Sequence, residues 1–160
     1  MATNAPSGGF SPKEEAKAVG AVWSDLYEDI QTAKKELVDA GYNNILTLWP
    51  AQVLLKEIEG KFGFYTLIAD NQAQELKKLI ANGSLECSLE AGRNETVVVV
   101  LVIMKDKARK TAVFCPLNFP TADEQLVKEK AKDSLYVFFR ILSGEIVGIA
   151  RLDHFDLDSL

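Results

Sequence analysis

The side chains able to do chemistry are few and poorly grouped. The only histidine, His154, follows Asp153 and lies close to Asp156, and an imidazole with a carboxylate partner is a common general base. No serine or cysteine motif offers that pair a nucleophile, so a plain surface histidine is the simpler account. The stretch Asp153 to Asp158 collects oxygen and nitrogen ligand types, yet it lacks the spaced glycine and closing glutamate of a calcium loop. Neither the glycine-rich dinucleotide fingerprint nor a phosphate-binding P-loop occurs. The sequence points away from an enzyme and implies no cofactor and no metal. Lys105, Lys107, Arg109 and Lys110 concentrate positive charge in one loop; such a loop can clasp a phosphate or an acidic partner, but more often it is a solvated turn that keeps sheet edges soluble. Cys87 and Cys115 lie far apart among apolar neighbours, which reads as two reduced core thiols rather than a metal site or a disulfide.

The strongest binding signal is near the carboxyl end, where Leu135 to Leu142 and Glu145 to Leu152 flank Ser143-Gly144 as a tight hairpin. With Leu142 opposite Glu145, one face carries Leu135, Val137, Phe139, Ile141, Ile146, Gly148, Ala150 and Leu152, all apolar, and must be the core side. The other presents Tyr136, Phe138 and Arg140 opposite Arg151, Ile149 and Val147. Aromatic and arginine side chains are enriched where protein partners bind, so these six form the candidate docking surface. The competing account is that the first helix or the acidic tail covers them.

These side chains need a scaffold, and the sequence implies an α+β one. Residues 1–10 lack periodicity and read as a disordered lead; residues 11–160 read as one domain. Ser11, Pro12 and Glu14 are helix-start signals and Gly41 is a stop. Between them Ala16, Val19, Trp23, Leu26, Ile30, Ala33, Leu37 and Ala40 form a stripe spaced by threes and fours. A helix of that length spans about 43 Å, so it either bends around its own sheet, with Gly20 as the interruption, or offers Val19, Trp23, Leu26, Ile30 and Leu37 to a second copy or a partner. In residues 42–83 Pro50 opens a short helix that Gly60 closes, Phe62 to Ala69 suit a strand, and a helix from Asp70 or Asn71 buries Ala73, Leu76, Leu79 and Ile80 before Asn82-Gly83. Leu85, Cys87 and Leu89 alternate with polar residues as a half-exposed strand. Thr96 to Lys105 is apolar on both faces, as an interior strand requires. Thr111 to Cys115 returns, with Pro116 marking an edge. Thr121 and Glu124 cap a short helix. The expected fold is therefore a long N-terminal helix and further helices on a mainly antiparallel five-stranded sheet, built from a three-strand meander, a helix and a two-strand hairpin.

With 160 residues, 48% of them hydrophobic and 26% charged, the chain can bury a sizeable core without staples. A formal charge of −5 disfavours nucleic acid and anionic membranes unless the charges are segregated. The first residues show no secretory leader, and the longest apolar run, Val97 to Met104, is too short to span a bilayer; a cytoplasmic protein is expected. The order of elements resembles, in topology only, the small acidic dimeric chaperones that escort secreted effectors, although residues 42–83 have no place in that pattern and its last helix is missing. The leading reading is a non-catalytic protein-binding protein: an adaptor, an inhibitor or immunity-type protein, or a chaperone-like dimer. The alternatives are a small enzyme or ligand-binding domain whose pocket lies between the sheet and residues 42–83, lined by Trp49, Phe62, Phe64 and Tyr65, and a structural subunit joined through the long helix.

Overall fold

In the computed structural model the residues described are 24, 28, 30–80, 85–93, 95–131 and 134–153. The expectations for residues 1–10, for Val19, Trp23 and Leu26, for Asn82-Gly83, and for His154 with the tail beyond it lie outside them. Residues 30–39 are helical (α1). There follow β1 (Asn44–Thr47), β2 (Gln52–Ile58), β3 (Lys61–Leu67), α2 (Asp70–Ile80), β4 (Glu86–Arg93), β5 (Val97–Asp106), β6 (Thr111–Pro120), a 3-10 turn (Thr121–Asp123) running into α3 (Glu124–Ala131), β7 (Leu135–Arg140) and β8 (Ile146–Leu152).

The expected five-stranded sheet under a long helix is not what forms. The described residues are mostly β, with two four-stranded sheets in the orders β1-β6-β5-β4 (sheet A) and β2-β3-β7-β8 (sheet B). The meander β4-β5-β6 and the hairpin β7-β8 are both present, but in different sheets. The meander is extended by β1 and the hairpin by the β2-β3 pair, each through a parallel pairing, β1 with β6 and β3 with β7.

The helix expected after Pro50 is strand β2. Glu59 and Gly60 both adopt positive φ, 52° and 79°, and Ile58 pairs directly with Lys61. This two-residue turn matches the right-handed twist of a hairpin. Val53 and Leu55 pack on the core, a period of two that the short segment shares with a helical pattern.

Alternate residues of β5 serve two different cores. Val98, Val100, Val102 and Met104 join Phe62, Phe64, Leu135, Val137 and Phe139 of sheet B in the space between the sheets. Leu101 and Ile103 point the other way, into a cluster with Phe114, Ala112, Tyr42 and Ile30, flanked by Leu37. Helix α1 thus lies on the outer face of its own sheet A. Of the stripe assigned to self-association, Ile30 is buried there and Leu37 half-buried. Gly41, with φ 94°, ends α1: its N–H donates to the Val38 carbonyl at 3.0 Å, and the Tyr42 N–H donates to that of Leu37 at 2.9 Å, so a left-handed residue closes the orphan carbonyls.

Strand β6 runs through Pro116 to Pro120, further than expected. Proline is tolerated because β1 pairs only with Thr111 to Phe114. Phe114 accepts a bond from Leu48, so Pro116, two residues on and facing the same side, needs no N–H there. Pro120 is the cap residue and makes no side-chain bond, while Glu124 binds Arg93 at 2.6 Å and Lys128 at 3.1 Å, tying α3 to β4. Helix α3 buries Val127 and Ala131 but leaves Leu126 exposed.

Candidate functional site

The pairing registers place the outer face of sheet B row by row. Lys56, Gly63, Tyr136 and Arg151 lie side by side across β2, β3, β7 and β8. Leu54, Tyr65, Phe138 and Ile149 form the next row, and Gln52, Leu67, Arg140 and Ile146 the third. Of the six candidate docking residues, Tyr136, Phe138, Arg140, Ile149 and Arg151 share this face. Val147 does not: it packs against the core between the sheets, and Ile146 takes its place opposite Arg140.

The turn explains the exchange. The Gly144 N–H donates to the Ile141 carbonyl at 2.9 Å, and the Ile141 N–H donates to the Glu145 carbonyl at 3.1 Å. Leu142, Ser143 and Gly144 thus make a three-residue loop with Gly144 left-handed at φ 94°, not the two-residue turn expected. That shifts the register by one residue. The irregularity between Phe139 and Arg140 shifts it back, so Phe138 meets Ile149 and Tyr136 meets Arg151 as expected, with Val147 the extra residue of a bulge.

Cations lie along this face in close contact with its rings. The Arg140 guanidinium is 4.4 Å from the Tyr65 centroid, the Lys56 ammonium is 4.5 Å from the same ring, and the Lys61 ammonium is 6.0 Å from that of Tyr136, within the range of cation–π attraction. Arg140 Nη2 also donates to Gln52 Oε1 at 2.6 Å, while its buried Nε has no partner among the described residues. Tyr136 and Phe138 stack at 6.1 Å and 21°. Phe138 is only 1% exposed, whereas Ile149 is 51% exposed. Arg151 bonds Asp153, which also accepts from Ser134 at 3.0 Å. The bond to Asp153 raises the pKa of Arg151 above its ordinary value, and its charge is permanent.

As members of this face Gln52, Leu54, Lys56, Lys61 and Tyr65 escaped the sequence reading, which set Tyr65 in a pocket. Their signal was present in Glu59-Gly60 between two alternating runs, but glutamate is a rare occupant of positive φ, and nothing local tells β3 to pair with β7.

The basic loop is structural. Asp106, buried, accepts from the Arg109 N–H at 3.0 Å, and the Arg109 guanidinium donates to the carbonyls of Leu79 and Lys78 at 3.1 and 3.2 Å. It caps the C-terminal end of α2, where a cation suits the helix dipole. Lys107 pairs with Glu86 and Lys110 lies over Tyr42. The pocket expected beneath residues 42–83 is not lined as proposed: Phe62 and Phe64 are core, Tyr65 faces outward and Trp49 is exposed. A cavity of about 360 Å³ opens instead between α2, β4 and β8, walled by Leu76, Ile80, Cys87, Met104 and Phe139, with Arg151 and Asp153 at its rim.

Both cysteines are free thiols. Burial pushes each pKa up, most strongly at Cys115, which has no exposed surface; at Cys87 desolvation is the larger cause, and the charge of Asp153 adds to it. Thiolate is the reactive form, so native protein at pH 8 should be alkylated slowly at Cys87 and not at Cys115, and both should react promptly in denaturant; mass spectrometry of iodoacetamide-treated protein reads this directly. Prompt native labelling of Cys115 would contradict its burial. Because the folded thiols hold their protons above the ordinary thiol range, the unfolded chain ionises first and stability falls as pH rises through about 9.

The described residues define a mostly β, two-sheet protein with an aromatic, cationic sheet surface. The described residues contain no group of three or more His, Cys, Asp or Glu side chains placed to hold a metal, and no helix among them is long and apolar enough to cross a membrane. The chain belongs to a family of unknown function, DUF7529, whose model matches residues 11–158. No curated protein and no solved structure matches it.

Proposed function

We propose that this is a non-catalytic protein-binding protein of the cytoplasm that docks a protein partner through the outer face of sheet B. The observation that carries the reading is the juxtaposition of exposed Ile149 and half-buried Leu54, Tyr65 and Tyr136 with Lys56, Lys61 and Arg140 on one sheet surface. An apolar centre with aromatic and arginine anchors and a charged rim is the anatomy of a docking patch. Surface lysines usually serve solubility; here they are laid over tyrosine rings, which holds their stems flat and the apolar row accessible.

The test is site-specific photo-crosslinking in cells from position 149, with position 38, exposed on α1, as control. A discrete protein adduct at 149, absent at 38 and reduced at least about tenfold by Arg140→Glu, is the expected result. The variant must keep the parent's thermal transition. Equal adducts at both positions, or none at 149, would show that this face docks nothing.

A further inference from the structure

The charge on the docking face runs against the charge of the chain. The molecule carries −5 overall, yet the sheet B surface presents Lys56, Lys61 and Arg140, none of which has a carboxylate within ion-pair distance among the described residues. Their neighbours are rings, not acids. Elsewhere Lys77 pairs with Glu145, Lys128 with Glu124 and Lys130 with Glu57; Lys34 and Lys110 also lie over rings, those of Phe114 and Tyr42, but singly and on other surfaces. Segregation of this kind focuses positive potential on one surface of an acidic protein, which steers a partner of opposite charge.

We infer that the segment seated on this face is an acidic stretch of polypeptide, rich in Asp and Glu. The inference rests on the docking reading above and specifies its partner. A single-stranded nucleic acid is the other polyanion to weigh, and the geometry disfavours it. Base stacking needs open ring faces, but the Tyr65 ring is held by Arg140 and Lys56, and Phe138 is 1% exposed. What remains accessible is cationic ends beside Ile149 and the half-buried Leu54 and Tyr136, which suits carboxylates interspersed with apolar residues. Lys56 and Lys61, set on rings and not in ion pairs, keep their hydrogen-bond donors for an incoming carboxylate, at less cost than breaking an ion pair.

The experiment uses the full chain and a fluorescent peptide of alternating Glu and Asp, about ten residues long, with fluorescence anisotropy at about 0.02 M and about 0.15 M salt. A thymidine oligonucleotide of equal charge runs beside it. Expected are saturable peptide binding that weakens with salt, at least about tenfold loss in Lys56→Glu/Lys61→Glu, and weaker binding of the oligonucleotide. Lys107→Glu, on the structural loop, should leave the affinity unchanged and serves as the control for a charge reversal away from this face. Tighter binding of the oligonucleotide, equal loss in Lys107→Glu, or no peptide binding at low salt would each overturn the inference. If the adduct at position 149 persists while the peptide fails, the acidic partner is wrong and the docking reading stands; if both fail, the face is not a docking surface.

Discussion

Replacing Gly63 by alanine should lower the stability of the folded protein by about 3 kcal/mol or more, corresponding to roughly 6–12 °C in the midpoint of thermal unfolding for a chain of this size. The reason is backbone approach. Gly63 faces Tyr136 in the parallel pairing of β3 with β7, and a β-carbon there would sit 1.9 Å from the Tyr136 carbonyl oxygen and 2.5 Å from its carbonyl carbon. Backbone cannot step aside as a side chain can, so the two central strands of sheet B would have to separate. Gly148 provides the contrast: its added β-carbon meets first the end of the Ile80 side chain, at 2.8 Å, which can turn away. Gly148→Ala should therefore cost much less, about 1 kcal/mol. Parallel thermal melts of the two variants check the ordering; a Gly63→Ala protein that melts with its parent would mean that β3 and β7 do not lie as close as described. Because Gly63 lies between Lys56 and Tyr136 on the docking face, the same change should also reduce the crosslink at position 149.

Phe64→Ala should cost about 3–5 kcal/mol by denaturant titration, with one cooperative transition retained. Phe64 has no exposed surface and stands on the inner face of β3, its ring 5.8 Å from that of Phe119 on β6 at an angle of 38°. It is thus a contact between the two sheets. Removing it leaves a cavity between them and forfeits an aromatic pair worth about 0.5–1.5 kcal/mol beyond its area. Phe64→Leu should lose less than half as much, since most of the volume remains. A loss below about 1 kcal/mol for the alanine variant, or two separate transitions, would show that the sheets do not share one core.

Local features were largely legible in the sequence. Helix α2 begins at Asp70 and buries Ala73, Leu76 and Leu79, following a stripe that only a period near 3.6 explains. Strand β4 alternates in exposure, and β5 is buried on both faces, as their compositions demand. Gly41 ends α1 because the left-handed region is open to it. Most of the hairpin face was legible too, since side-chain alternation is a property of a strand by itself. The exchange of Val147 for Ile146 was not, because it depends on a three-residue loop whose register error is cancelled by a bulge a few residues away.

What the sequence by itself determined is the elements just named and, Ile146 and Val147 apart, which of their apolar side chains face the core. Tertiary structure alone decided how they are shared between sheets. Hairpins announce themselves by their turns, but the parallel pairings of β1 with β6 and of β3 with β7 join strands far apart in the chain and have no turn to mark them. Those two pairings divide the strands into two sheets, and the second brings Lys56, Lys61 and Tyr65 beside Arg140 and Tyr136. The cationic face exists because burying both apolar faces of β5 and the inner face of sheet B in one packed molecule leaves that surface outermost, a requirement of the whole chain that no short segment encodes.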